Sequence, residues 1–212
     1  MNVGKISYGE WTGRKGQSGI DKRPVGSAHV RKLGLDGDNI CDLEVHGGEY
    51  QAVYAYALED LAYWAAELGR ELLPGNAGEN LSLSGLDPQA LVIGQRLRIG
   101  GTVLRVTRPR NPCQIFAGFW DVRGLVKKFT QVGRVGAYLA VEQEGVISDG
   151  DTVETLSTPG HGVTIGEVFD VIGRNQREKA PRVAEAMADL PPKVRDWVRD
   201  VLAKSEHAAP AS

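Results

Sequence analysis

The sequence predicts a mainly β, α+β fold, with a β body followed by a short helical extension. Three observations carry this. Glycine is abundant, at 27 residues, and punctuates short runs rich in Val, Ile, Leu and Tyr, the pattern of strands joined by tight turns. Only two amphipathic segments interrupt that series. From about Gly166 the apolar spacing changes for good to the helical period,. The domain division that follows is a body over residues 1–165 and a helical extension over 166–212.

Strands are expected at 2–7, 25–30, 52–56, 79–83, 95–100, 102–107, 136–143 and 151–156, where β-branched, aliphatic and aromatic residues suit a pleated, half-buried surface,. Gly100 and Gly101 read as a hairpin turn between two of them,. Residues 58–73 read as a helix that packs on the sheet. Leu58, Leu61, Ala62, Ala65 and Leu68 share one face, and Glu59 and Asp60 sit in the first turn, where negative charge suits the helix dipole,. A second helix is expected around 122–132, with Lys127 and Lys128 on a solvated face,. In the extension, Val183, Met187 and Leu190 form one stripe. Val194, Trp197, Val198, Val201 and Leu202 form another, with Trp197 as the expected core anchor and Pro191 and Pro192 separating the two,. The terminal HAAPAS reads as frayed,.

Composition excludes several function classes. A chain of 212 residues, 42% hydrophobic and 25% charged, is that of an ordinary globular protein, and its net charge of -2 offers no basic excess for a polyanion,. Nucleic acid is therefore not an expected partner. The start lacks an apolar signal core, and no run of about eighteen apolar residues occurs, so a cytoplasmic protein with no membrane partner is expected,. Cys41 and Cys113 form no C-x-x-C pair and stand in no close cysteine–histidine cluster, which argues against structural zinc and against an iron–sulfur cluster,. Neither a phosphate loop nor a strand-placed G-x-G-x-x-G is present,.

Four stretches are candidates for chemistry. In RPRNPCQIF, residues 108–116, Cys113 follows a proline, with Arg108 and Arg110 close behind. Cationic surroundings favour thiolate, which is both a nucleophile and a soft metal ligand, although free cysteines are also common inert core residues. Residues 11–25, WTGRKGQSGIDKRPV, combine flexible glycines with Arg14, Lys15, Lys22 and Arg23, and suit either a bound anion or a solvated surface loop,. Residues 33–53 carry two Asp-rich turns and then His46-Gly47-Gly48. The glycines permit close approach of a ligand that the histidine binds or protonates, and the alternative is a plain turn with a hydrogen-bonded histidine. In GNAGENL, residues 75–81, Asn80 offers a donor and an acceptor to a heterocycle, or else Glu79 and Asn80 close a loop,.

Taken in order, SGIDKRPV, GLDGDNICDLEVHGG, GENL and RPRNPCQ resemble the MOSC domain, the molybdenum-cofactor sulfurase C-terminal domain, in its small bacterial YiiM-like branch. They match that family's G-I-x-K-x-P-V, G-x-x-G-D-x-x-x-D-x-x-V-H-G-G, G-E-N-L and P-R-x-P-C segments. The resemblance implies a twisted, mostly antiparallel β-barrel-like body and a Mo-pyranopterin site with Cys113 as the protein's metal ligand. It implies Lys22 and Arg23 on the cofactor's phosphate side, His46 and Gly47 near the site, Asn80 on the pterin, and Arg108 and Arg110 flanking the thiolate. The implied activity is reduction of N-hydroxylated bases and related compounds. The short extension and Gln114-Ile115 depart from the family pattern, which bears on substrate range. Such a reaction needs a proton donor, for which His46 is the candidate, and a separate electron-donating reductase; a homodimer is also admitted. Two other readings stay open: a persulfide carrier using the same thiolate, and a module that binds or hands over the cofactor without turnover.

Overall fold

The computed structural model describes residues 1–42 and 46–208, with side chains up to Lys204. Its centre is a curled six-stranded sheet built from β5 (Val53–Ala57), β6 (Leu81–Leu83), β7 (Arg96–Ile99), β8 (Thr102–Pro109), β9 (Ala137–Gln143) and β11 (Val153–Ser157), in the order β11-β7-β8-β9-β5-β6. All neighbours are antiparallel except β5 and β6. β1 (Asn2–Tyr8) and β2 (Gln17–Pro24) form a separate ribbon, and β3 (Ser27–Arg31) is flanked by β4 (Gly34–Leu35) and β10 (Gly145–Ser148) in a small third sheet. The Gly100-Gly101 hairpin is present, with Ile99 paired to Thr102 and Gly100 at φ 52.

The sheet separates two apolar layers, as the alternation of side chains along a strand requires. Val53 and Ala55 of β5 face one cluster with Leu97, Leu104, Val106 and Leu139, while Tyr54 and Tyr56 face the other with Trp64, Phe116, Trp120 and Phe129. Helices α1 (Leu58–Leu68), α2 (Gln114–Phe119) and α3 (Leu125–Val132) cover the aromatic side. Helices α4 (Ile165–Ile172), α5 (Ala180–Ala184) and α6 (Pro192–Ala208) contribute Val168, Val171, Val183, Val194, Val198 and Val201 to the aliphatic side, in one cluster with the strands. Thr164 starts α4 with a capping box, its hydroxyl accepting from the Glu167 N–H while the Glu167 carboxylate accepts from the Thr164 N–H,. None of the described helices is long and apolar enough to cross a membrane.

Several elements depart from the sequence expectation. Residues 17–24 are not a loop but β2, held in register by β1 from Tyr8–Gln17 to Asn2–Pro24. The ladder satisfies backbone groups that glycine content alone suggested were free. Helix α1 stops at Leu68 rather than 73 because Gly69 adopts the left-handed conformation (φ 60, ψ 32), and its N–H bonds back to the Ala65 and Ala66 carbonyls,. Helix α2 was not foreseen, since six residues are too few to show a period. Trp197 is half-buried and only flanks the core, while Val194, Val198 and Val201 enter it.

Candidate functional site

One cleft gathers most of the chemically suggestive residues. It opens between β2, the segment 38–42, residues 46–52, the turn at Gly78–Asn80, and the 110–115 segment, with Tyr54 and Tyr138 lining it from the sheet. It is an open cleft, and together with the solvent space at its mouth it spans about 760 Å³. The segment 38–42 is laid directly on β2: a Cβ on Gly19 would stand 1.7 Å from the Asn39 carbonyl oxygen. Glycine at position 19 is therefore a condition for that wall.

Asp38 organises the cleft's interior. Its carboxylate, 3% exposed, accepts from Lys22 Nζ at 2.5 and 2.7 Å, from the Gly4 N–H at 2.6 Å and from Asn80 Nδ2 at 2.8 Å. Burial holds the Lys22 ammonium below the ordinary lysine value even though Asp38 opposes that shift,. Asn80 is a staple: its side-chain carbonyl accepts from the Tyr54 N–H at 3.1 Å, and its backbone joins Asn2 to Tyr54. Its amide group is thus largely engaged by the protein, although it lines the cleft. Next to it, buried Glu79 accepts from the Gly75 and Ala77 N–H groups and from Ser82 Oγ, and burial pushes its carboxyl up.

Arg110 and Cys113 form the opposite wall. The Arg110 guanidinium is buried, donates to the Ala77 carbonyl at 2.6 Å, and lies 4.5 Å from the Phe116 ring centre and 5.1 Å from that of Tyr54. Among the described residues it has no carboxylate partner within 4 Å. A buried cation without an ion pair favours an anion nearby. Cys113 is half-buried, just ahead of α2, in extended conformation (φ -133, ψ 171). Burial alone would push its thiol up; His46, Arg110 and the Phe116 N–H turned toward the sulfur outweigh it, so that the thiol lies lowered at about 7,. No three His, Cys, Asp or Glu side chains among the described residues are grouped to hold a metal ion. A metal held by Cys113 has to bring most of its own ligands.

Of the residues singled out from sequence, Lys22, His46, Gly47, Asn80, Arg110 and Cys113 converge here. Arg23 and Arg108 do not line the cleft. The Arg23 side chain is half exposed and pairs with Asp21 at 2.7 Å, because successive residues of β2 face opposite sides and Lys22 takes the inner one,. Arg108 donates to the Pro109 carbonyl at 3.4 Å, and burial lowers its pKa. Lys15 reaches the cleft rim, with Asp42 at 4.0 Å. Sequence reasoning passed over Asp38, Tyr54, Tyr138 and Cys41, all of which line the cleft. Asp38 stood in the G-x-x-G-D segment and was legible there; the tyrosines carried no local signal.

Residues 42–154 match the MOSC domain. The chain is 36% identical over 166 residues to the uncharacterized protein YflK of Bacillus subtilis, covering 78% of this chain and 75% of that one. It is 33% identical over 135 residues to protein YiiM of Escherichia coli, covering 62% and 60%. The crystal structure of YiiM from Geobacillus stearothermophilus superposes with a TM-score of 0.77 at 28% identity, over 95% of this chain and 96% of that one. The chain belongs to the MOSC domain family, in its YiiM- and YflK-like bacterial branch.

Proposed function

We propose that this protein is a molybdenum-cofactor-dependent reductase of N-hydroxylated compounds. The observation that carries the reading is the convergence on one open cleft of Cys113, His46 and the buried Arg110, which has no carboxylate partner among the described residues. The residues present fit the group: one thiolate for a metal that brings its own dithiolene sulfurs, the carboxylate-free Arg110 guanidinium for its anionic groups, and Gly47 where close approach is needed,. When bound, the cofactor supplies two-electron chemistry, R–NH–OH plus two electrons and two protons giving R–NH2 and water. Cys113 would hold the metal, His46 keeps the thiol ionised, and Arg110 supplies the positive field beside it. Asn80 and Asp38 hold Lys22 and the floor in place. Electrons come from a separate reductase, because the chain carries no dinucleotide fingerprint or cluster ligands,.

The test is elemental analysis of protein purified from a cofactor-competent host, followed by reduction of an N-hydroxylated purine with a chemical electron donor. Wild type should hold molybdenum and turn over, and Cys113→Ala should lose both while melting within about 1 kcal/mol of wild type. Undiminished turnover in that variant sinks the ligand role. Wild type that holds persulfide sulfur instead of molybdenum supports the carrier reading.

A further inference from the structure

The cleft must also supply a proton, and several of its donors are already engaged. Lys22 is locked onto Asp38 through both carboxylate oxygens. Arg110 is a permanent cation. His46 is directed at the Cys113 sulfur, where it stabilises the anion. Tyr54 lines the cleft, but its hydroxyl donates to the Val135 carbonyl at 2.8 Å, as that of Tyr56 does to the Arg134 carbonyl at 2.9 Å. Tyr138 differs from both. It stands in β9 on the aromatic side of the sheet, its ring 5.2 Å from that of Tyr54, half-buried and lining the cleft. Arg110 and Cys113 both act on its hydroxyl. Among the described residues that hydroxyl donates to no protein group; the Arg110 guanidinium is turned toward it as a donor, and Thr107 donates to the Tyr138 backbone carbonyl.

We propose that Tyr138 is the catalytic acid: its O–H donates to the oxygen of a bound N-hydroxyl group and delivers the proton with which that oxygen leaves. This rests on the N-reductase reading. Two electrons, which the bound cofactor would supply, go to breaking the N–O bond. One proton, from Tyr138, converts the departing hydroxide to water, and solvent at the open mouth supplies the second to nitrogen. The phenolate left behind faces the Arg110 guanidinium, which stabilises it until solvent returns the proton. Burial raises the Tyr138 phenol above its ordinary value, so the acid is fully protonated at neutral pH. The substrate class this favours carries an N–OH group small enough to reach between Tyr138 and Cys113.

Tyr138→Phe removes one oxygen and no packing, and is tested in the molybdenum-loaded protein. Molybdenum content should match wild type and the melting midpoint should fall by a few degrees at most, because the hydroxyl donates to no protein group and Arg110 keeps its bond to the Ala77 carbonyl. Turnover per bound molybdenum should fall about 100-fold, the lower range for loss of a general acid, with KM rising several-fold at most. Titration of the unreduced, loaded protein with an N-hydroxylated purine should show affinity about 5-fold weaker in Tyr138→Phe, from one lost hydrogen bond. Equal turnover per molybdenum in the two proteins overturns the assignment. Wild type that binds the purine but never reduces it defeats the N-reductase reading; the titration then decides Tyr138 by itself, and equal affinities overturn it.

Discussion

Replacing Asp38 with Ala should be the most damaging single change in the cleft, although Asp38 touches no proposed metal ligand. Three donors lose their acceptor at once: the Lys22 ammonium, the Gly4 N–H and the Asn80 amide. Lys22 is 8% exposed in its side chain and would remain as a buried, unpaired charge, which costs about 3–5 kcal/mol. The lysine can escape by shedding its proton, and from an ordinary value of 10.5 that escape costs at most about 5 kcal/mol at pH 7,. Both routes therefore agree on about 3–5 kcal/mol, or a melting midpoint lower by roughly 6–20 °C for a chain of this size. The sign with pH follows from proton count. In the variant the unfolded lysine binds a proton that the folded one has lost, so relative stability should recover by about 1.4 kcal/mol per pH unit as pH rises from 7 toward 10.5. Urea denaturation at pH 7 and 9.5 measures this, with Lys22→Met/Asp38→Ala as the companion that removes the orphaned charge. A variant within about 1 kcal/mol of wild type at pH 7, or a double variant no better than the single one, would refute the buried-pair argument.

Two further outcomes follow from particular contacts. In cofactor-free protein, limiting iodoacetamide at pH 7.5 should alkylate Cys113 well before Cys41, since the Cys113 thiol is lowered to about 7 and burial pushes the Cys41 thiol up,. The pH at half-maximal rate should move upward in His46→Ala, and equal rates for the two thiols in wild type would contradict the electrostatic account. Because Cys41 also lines the cleft, Cys41→Ala is not a neutral control for metal loading. Truncation after residue 172 removes Val183, Leu190, Val194, Val198 and Val201 from the core they share with the strands. At about 1.5–3 kcal/mol of burial each, the loss equals the whole stability of a typical domain. The truncated chain should show no cooperative unfolding by calorimetry, and a sharp transition near the wild-type midpoint would show that the body stands alone.

Much of the cleft was legible because its parts are local. A glycine-adjacent histidine, a cysteine that follows two arginines and a proline, and a strand alternation are each written within a few residues, and Lys22, His46, Asn80, Arg110 and Cys113 were all readable in that way. Helix ends were less so: Gly69 stops α1 by its left-handed geometry, although Leu72 and Leu73 continue the apolar text. The separation of Arg23 from Lys22 came from the pairing of β2 with β1, which decides which side of the ribbon each cation faces. Asp38 and Tyr138 are 100 residues apart; the G-x-x-G-D segment marks Asp38 while Tyr138 has no telling neighbourhood, and the roles of both come from where the chain places them. For Asp38 that is the meeting of β1, β2 and Asn80, where three donors need one acceptor. For Tyr138 it is a register that leaves one hydroxyl without an acceptor at the cleft wall, while Tyr54 and Tyr56 find theirs in the 134–135 backbone. Residue type and spacing determine which chemistry a chain has available, but which donors are already satisfied depends on contacts between distant segments, and only the folded chain makes those contacts.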